Sequence, residues 1–334
     1  MTHLLDPDAQ ALLDVMRAVG APQPYEVSVE QARENARAAL VGRGSSIPLH
    51  RVEDLSLPTP HGPLVLRLFR PAEGVLPVAL FLHGGGWSLN DLDTHDRLCR
   101  LIARRSGCLV ASLDYRRAPE HRHPAALEDA HLAYRWLGDN ASAIEVDASA
   151  IALVGESSGA TTAACLSLLL RDLGVRMPVY QILAYPVTGM FDEWPSYRER
   201  GSGYTLDLQF ARWALQNYLP AGHDLRDPYL FPLAAADLSG LEPTLMATAE
   251  FDPLRDEGIA FAHRLAAAGV DVEHIHVEDQ MHGFLLLDRA VSRAGALIDR
   301  LADALSAHIR RRGFDAPSPQ ASSAIADGVS RTLG

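Results

Sequence analysis

The pentapeptide Gly155-Glu156-Ser157-Ser158-Gly159 lies between an apolar run typical of a buried strand and a run typical of a helix. The pattern G-x-S-x-G is typical of a sharp turn from a strand into a helix, with a serine at its apex. Glycine at both ends leaves room where a side chain would collide with neighbouring backbone. The pattern therefore predicts a serine nucleophile at Ser157.

A second motif, His83-Gly84-Gly85-Gly86-Trp87, follows an earlier apolar run. A glycine run after a strand supplies backbone N–H groups that can hold an oxyanion. We expect His83 to bond to the backbone and shape the loop, with Gly84 as part of it, and Trp87 to pack beneath the site. The two motifs, in this order, predict an acyl-transfer site.

A serine hydroxyl needs a general base within hydrogen-bond reach, and an acid that orients the base. His282 directly follows the last predicted strand, and Gly283 lets the chain turn there, so His282 is the preferred base. Asp252 comes at the end of the preceding strand and is the preferred acid. Glu250 is the alternative acid. Each partner thus stands on a loop after a strand, in the order Ser, acid, His.

Alternating strand and helix patterns predict an α/β fold with a mostly parallel, eight-stranded sheet and helices on both faces. The first two strands are expected to form an antiparallel pair. The predicted strands are His50–Leu57, Pro63–Phe69, Val78–Leu82, Cys108–Leu113, Ala150–Val154, Val179–Ala184, Thr244–Thr248 and Val272–Val277.

Four segments make up the predicted domain organisation. Residues 1–46 form an N-terminal helical cap segment, and residues 47–312 the catalytic domain. The aromatic and proline-rich stretch 188–230 breaks the strand and helix rhythm and is interpreted as a cap insertion. Residues 313–334, rich in Ser, Ala and Asp, are predicted to be a mobile tail.

Composition narrows the class of partner. The chain has 334 residues and a net charge of −12, and all of its basic side chains except histidine are arginine. Because no basic tract is present, we expect no nucleic-acid partner. No apolar stretch reaches the length of a membrane span. The edge strand Val272–Val277 could pair across a dimer axis, which makes a homodimer possible.

Three widely spaced cysteines, Cys99, Cys108 and Cys165, lie in apolar or helical runs. They are expected to be reduced core residues rather than a disulfide or a metal site. The N-terminus lacks the basic region and apolar core of a signal peptide, so a cytoplasmic location is expected. No metal cluster or phosphate loop is apparent in the sequence.

The chain resembles the bacterial hormone-sensitive-lipase-like (HGGG, family IV) carboxylesterases of the α/β-hydrolase superfamily. Five motifs in the same order carry the resemblance: His83–Trp87, Tyr115–His121 continuing to Pro124–Asp129, Gly155–Gly159, Asp252–Gly258 and His282–Phe284.

The resemblance implies an α/β-hydrolase fold with a helical cap. It implies Ser157 as nucleophile, His282 as base and Asp252 as the residue that orients it. The oxyanion hole would consist of the N–H groups of Gly85, Gly86 and Ser158. Short- to medium-chain carboxylic esters would be the substrates, hydrolysed through an acyl-enzyme without a cofactor.

This chain departs from the family pattern at two places. Glu156 and Ser158 replace the usual aspartate and alanine of the serine motif, and Arg117, Arg122 and His123 replace residues that are usually apolar or proline. Two further hypotheses stay open on the sequence alone. One is an amidase, thioesterase or lactonase that uses the same three residues, and the other is a small-molecule receptor on a hydrolase scaffold.

Overall fold

A computed structural model describes residues 3–41, 47–190 and 193–313. The predicted tail therefore lies outside the described residues, apart from Gly313. Within these ranges the chain forms eight strands: β1 (Arg51–Leu57), β2 (Leu64–Arg70), β3 (Leu76–Leu82), β4 (Leu109–Asp114), β5 (Val146–Glu156), β6 (Gln181–Ala184), β7 (Thr244–Phe251) and β8 (Val272–Met281).

All eight strands belong to one sheet, in the order β1-β2-β4-β3-β5-β6-β7-β8. Strand β2 runs antiparallel to both β1 and β4, and the remaining neighbours are parallel. This confirms the predicted mostly parallel, eight-stranded sheet and the antiparallel first pair. Because parallel neighbours need a crossover between them, helices separate the central strands along the chain.

The helices of the described part of the chain are α1 (Pro7–Val19), α2 (Val29–Leu40), α3 (Asp96–Ser106), α4 (Ala125–Asp139), α5 (Ser158–Asp172), α6 (Pro195–Glu199), α7 (Leu208–Tyr218), α8 (Arg255–Ala267) and α9 (Ser292–Arg311). Short 3₁₀ segments cover Pro24–Glu26, Pro232–Ala234 and Phe284–Leu287. None of the helices described is long and apolar enough to cross a bilayer.

Strand β3 explains why both faces of the sheet are covered. Successive side chains of a strand point to opposite faces, and every residue of β3 is buried. Its Val78 and Leu80 join one apolar cluster, which includes side chains of α4, α5 and α8. Its Ala79 and Phe81 join a second cluster with side chains of α1, α3 and α9. The prediction of helices on both faces is confirmed.

The carboxyl ends of β3, β5, β7 and β8 lie at one edge of the sheet because these strands are parallel. In open α/β sheets, ligands bind beyond this edge. The segments that follow these four strands carry the two sequence motifs and the predicted acid and base. The topology thus brings together residues that lie far apart in the sequence.

Candidate active site

Ser157 is the single residue between the end of β5 and the start of α5. Its φ of 53° and ψ of −129° are unusual for a residue with a side chain. The flanking glycines make this turn possible: a Cβ on Gly159 would lie 2.0 Å from the carbonyl oxygen of Leu82, and one on Gly155 would lie 2.6 Å from the Gly159 carbonyl. Both glycines are therefore required by close backbone contact.

Ser157, His282 and Asp252 form a continuous chain of hydrogen bonds. The Oγ of Ser157 lies 2.8 Å from Nε2 of His282, and Nδ1 of His282 lies 2.7 Å from Oδ2 of Asp252. The other carboxylate oxygen of Asp252 accepts a hydrogen bond of 2.8 Å from the backbone N–H of Leu254. The arrangement can remove a proton from the hydroxyl and hold the resulting imidazolium against a carboxylate.

The register of the last two strands places the acid beside the base. Phe251 and Met281, the last residues of β7 and β8, pair with each other. Asp252 and His282 directly follow them along the chain. Gly283 then adopts a left-handed φ of 73°, which turns the chain away from the strand. The Oγ1 of Thr205 donates a 2.5 Å hydrogen bond to the carbonyl oxygen of His282.

The surroundings of His282 favour its charged form. Burial, the largest influence, lowers the pKa of the imidazole, but it is outweighed by the charge and hydrogen bond of Asp252 and by the charges of Glu156 and Glu257. The net effect is a pKa above the ordinary value of 6.5. A raised pKa suits a group that accepts a proton from a hydroxyl and returns it to a leaving group.

The glycine loop follows β3 and reaches the serine turn. Gly85 and Gly86 have φ values of 112° and 59°, and the carbonyl oxygen of Gly85 accepts hydrogen bonds from the backbone N–H groups of Ser88 and Leu89. Among the described residues, the N–H groups of Gly85 and Gly86 have no hydrogen-bond acceptor. The backbone N–H of Trp87 donates a 3.3 Å hydrogen bond to Oγ of Ser158, which links the loop to the turn.

Glu156 fastens the first glycine of this loop. A Cβ on Gly84 would lie 1.8 Å from Oε1 of Glu156, so the carboxylate fills the space of the missing side chain. The same Oε1 lies 3.0 Å from Nε2 of His95, and both side chains are buried. Burial raises the pKa of Glu156, but the hydrogen bond and charge of His95, the charge of His282 and the N–H of Gly84 together have the larger effect. The pKa of Glu156 therefore lies below its ordinary value.

His83 and Trp87 flank the glycines on buried positions. Nδ1 of His83 lies 2.9 Å from the carbonyl oxygen of Gly84, a backbone contact of the kind expected for this residue. The Trp87 indole stacks on Tyr218 with ring centroids 4.2 Å apart, and its Nε1 donates a 3.1 Å hydrogen bond to Thr162. The side chains of His83 and Trp87 thus fix the glycine loop to the interior of the protein.

Glu250, the alternative acid, is engaged elsewhere. Its carboxylate accepts hydrogen bonds from Arg200 at 2.7 Å and Arg255 at 2.8 Å, and it lies 3.2 Å from Nε2 of His276. The structure therefore brings Asp252, and not Glu250, to His282.

Sequence reasoning missed two sets of residues. His95 contacts Glu156 across 61 positions of sequence, and no local motif marks it. His123, His223 and Asp227 present ligand atoms that all lie within 4.8 Å of one another, a spacing that could hold a metal ion. His223 and Asp227 lie only four positions apart, but His123 is distant from both in the sequence, so no single local motif marks the three residues.

Comparison with known proteins agrees with this geometry. Residues 79–286 match the family described as having an alpha/beta hydrolase fold. The chain belongs to this family.

Several curated relatives of this α/β-hydrolase are named as esterases or ester hydrolases. It is 40% identical to the carboxylic ester hydrolase LipN of Mycobacterium tuberculosis, over 92% of this chain and 84% of LipN. It is 35% identical to an ethyl acetate hydrolase of Pseudomonas putida, over 91% of this chain and 99% of that protein. An ester hydrolase from the metagenome of Lake Arreo superposes with a TM-score of 0.89 at 35% identity, over 92% of this chain and 100% of that one. The protein is a carboxylic ester hydrolase.

Proposed function

We propose that Ser157, His282 and Asp252 are the catalytic triad of a serine carboxylesterase that hydrolyses short- to medium-chain esters. The observation that carries this proposal is the pair of hydrogen bonds of 2.8 and 2.7 Å that joins the three side chains at the strand ends. The strained backbone of Ser157, at φ 53°, supports a functional position because such strain is concentrated at active sites.

In the proposed reaction, Oγ of Ser157 attacks the ester carbonyl carbon while Nε2 of His282 takes the hydroxyl proton. Asp252 holds the imidazolium that forms. The tetrahedral intermediate then collapses, and His282 gives its proton to the departing alcohol. Water, activated by the same imidazole, hydrolyses the acyl-enzyme and restores Ser157.

The oxyanion of the intermediate is proposed to accept hydrogen bonds from the N–H groups of Gly85, Gly86 and Ser158. The free backbone donors of the glycine loop support this assignment, as does the hydrogen bond that ties Trp87 to Ser158. Each such donor is worth about 2.7–4 kcal/mol in the transition state. Ser158 in place of alanine leaves the backbone donor intact and adds an acceptor for the loop.

Residues 1–46 and 188–230 are proposed to form a cap over this site, within the hormone-sensitive-lipase-like (family IV) group. Two contacts support a joint cap: the Tyr25 hydroxyl donates a 2.9 Å hydrogen bond to Asp207, and Ala214 of α7 lies 2.6 Å from where a Cβ on Gly86 would be. A cap at this distance from the oxyanion donors limits the acyl chain, which is the reason for the short- to medium-chain proposal.

Two further proposals concern the setting of the enzyme. Strand β8 is at the edge of the sheet, and we propose that it pairs with a second copy in a homodimer; light scattering that detects only monomer would contradict this. We also propose a cytoplasmic location. Burial raises the pKa of the thiols of Cys99, Cys108 and Cys165, which favours the reduced form that cysteines have in the cytoplasm. Cell fractionation tests the proposed location.

The test is hydrolysis of p-nitrophenyl esters, from acetyl to dodecanoyl, by the wild type and by Ser157→Ala. We expect the highest kcat/KM with short or medium chains and a fall of about four to six orders of magnitude in kcat for the variant. Ser112→Ala, which alters a fully buried serine of β4, is the matched control and should retain activity.

A phosphonate ester probe, followed by mass spectrometry, should label the wild type and Ser112→Ala on Ser157 and leave Ser157→Ala unlabelled. Retained activity or labelling in Ser157→Ala would refute the assignment of the nucleophile. Preference for matched amides or thioesters over esters would instead refute the substrate class.

A further inference from the structure

The segment that precedes α4 meets the segment that follows α7 at a cluster of two histidines and one aspartate. His123 is 5% exposed, whereas the side chains of His223 and Asp227 are 22% and 25% exposed. The Nε2 atoms of both histidines converge on Oδ2 of Asp227, at 3.5 Å for His123 and 3.0 Å for His223. The cluster lies outside the hydrogen-bonded chain of Ser157, and the proposed reaction makes no use of it.

The separation of these atoms suits a small metal ion. Zinc bonds of about 2.0–2.1 Å in tetrahedral geometry place ligand atoms about 3.3 Å apart. The two separations of 3.5 and 3.0 Å bracket that value, and no pair of the three ligand atoms is more than 4.8 Å apart.

The supporting contacts are those that a metal ligand needs. Nδ1 of His123 lies 3.3 Å from the hydroxyl of Tyr218, which can fix the ring and direct Nε2 into the cluster. Oδ1 of Asp227 accepts a 2.8 Å hydrogen bond from the backbone N–H of Tyr229, and Oδ2 lies 3.0 Å from Nε2 of His223, so an ion would replace the contact between His223 and Asp227.

We propose that His123, His223 and Asp227 form a binding site for a divalent transition metal of the zinc class. Two imidazole nitrogens and one carboxylate oxygen suit Zn²⁺, whereas Mg²⁺ and Ca²⁺ prefer ligand sets made of oxygen. The partial exposure of His223 and Asp227 leaves room for water as the fourth ligand.

The position of the site indicates a structural role. An ion there would join the proposed cap insertion, which contains His223 and Asp227, to the catalytic domain, which contains His123. The backbone N–H of His123 already donates a 2.8 Å hydrogen bond to the carbonyl oxygen of Tyr218. The ring of the same tyrosine stacks on Trp87.

The experiment uses the full chain, freed of metal by a chelator and then titrated with ZnCl₂ by calorimetry. The compared proteins are the wild type, His223→Gln, Asp227→Asn and the control His61→Gln, which alters an exposed histidine in the turn between β1 and β2. We expect the wild type and the control to bind one Zn²⁺ per chain, and the two site variants to bind it at least about tenfold more weakly. Zinc should raise the melting temperature of the wild type and of His61→Gln, and not that of the two site variants.

Circular dichroism of the metal-free variants establishes that they are folded, and Co²⁺ absorption provides a second measure of binding. An intense visible band is expected for tetrahedral Co²⁺ in the wild type and should be lost in His223→Gln. Failure of the wild type to bind one equivalent of Zn²⁺ would overturn the proposal. So would equal affinities for the wild type and both site variants, since the cluster would then be held by hydrogen bonds alone.

Discussion

Glu156, next to the proposed nucleophile, has two functions in the active site. Its carboxylate accepts a hydrogen bond from buried His95 and lies against Gly84, so it fixes the start of the glycine loop. Its negative charge also contributes to the raised pKa of His282. The longer glutamate thus connects the loop that is proposed to bind the oxyanion with the base that is proposed to take the proton.

Replacement of Glu156 by glutamine should separate these functions. Glutamine retains the shape and a polar contact for His95, but it removes a negative charge that stabilises the imidazolium of His282. The pKa of His282 should fall, so the acid limb of kcat/KM, which has its midpoint above pH 6.5 in the wild type, should move to lower pH. The measurement is kcat/KM for a p-nitrophenyl ester between about pH 5 and about pH 9.

Glu278→Gln is the control for this charge change because the side chain of Glu278 is 71% exposed and lies 3.9 Å from Nδ1 of His3. Its pH profile should match that of the wild type. A midpoint for Glu156→Gln that is unchanged, or that moves to higher pH, would show that the charge of Glu156 does not act on His282.

At the scale of the element, α2 is attached to the proposed catalytic domain through Arg37, which pairs with Asp91 and Asp93, and through Arg33. The Arg33 guanidinium donates 2.8 Å hydrogen bonds from Nε to the carbonyl oxygen of Ser88 and from Nη2 to that of Ala118, and both Nη1 and Nη2 pair with Glu120 at 2.7 Å. Both carbonyl groups belong to buried residues: Ser88 directly follows the glycine loop, and Ala118 lies within the Tyr115–His121 motif. An N-terminal helix is therefore fixed to the segment that shapes the site.

Arg33→Met should weaken this attachment. The apolar stem is kept, but two buried carbonyl oxygens lose a charged donor, which costs about 2 kcal/mol in the free energy of unfolding. Because the glycine loop is adjacent, KM for p-nitrophenyl esters should rise. Urea unfolding and steady-state kinetics measure the two effects.

Arg51→Met is the matched control, since Arg51 is 61% exposed and pairs only with Glu53 among the contacts seen in the described residues. An exposed pair of this kind contributes about 0–1 kcal/mol. If Arg33→Met unfolds at the same urea concentration as Arg51→Met, with the same KM, the attachment of α2 does not depend on Arg33.

The sequence predicted the elements well where they are apolar and less well at their ends. Continuous apolar runs identified the central strands. Strand β8 was expected to end at Val277 but continues to Met281, because pairing with β7 resumes at Met281 after an irregularity that contains the polar residues Glu278, Asp279 and Gln280. Strand β5 begins at Val146, before the predicted Ala150, where it pairs with Leu76 across a register shift. Backbone pairing has no periodic signal in the side chains.

At the scale of the whole molecule, the sheet accounts for what could and could not be foreseen in the site. Parallel strands end at one edge, so the order of motifs was enough to predict that Ser157, Asp252 and His282 would meet. No such rule covers the contact of Glu156 with His95, or the meeting of His123 with His223 and Asp227. Those contacts depend on how loops fold over the sheet, which side-chain patterns do not encode.

Two buried carboxyl groups make the stability of the fold depend on pH. Burial raises the pKa of both Glu242 and Glu257 to about 7, against the smaller opposing effect of their hydrogen bonds. Glu242 lies just before β7, where the Ser167 hydroxyl donates to Oε1, while Oε2 has no partner among the described residues. In the unfolded chain the same carboxyl titrates near 4.5.

The folded protein therefore keeps the proton of Glu242 up to about pH 7, whereas the unfolded chain releases it from about pH 4.5. The contribution of Glu242 to the free energy of unfolding should therefore be largest below pH 4.5, decrease as the pH rises to about 7, and then level off. The total loss from this group is ~3 kcal/mol. Glu242→Gln has no proton to release, so the free energy of unfolding of this variant relative to the wild type should increase by most of that amount between about pH 5 and about pH 8. Urea unfolding at both pH values measures it, with Glu73→Gln, an exposed glutamate, as control. A constant difference between Glu242→Gln and the wild type at the two pH values would mean that Glu242 is already ionised in the folded protein.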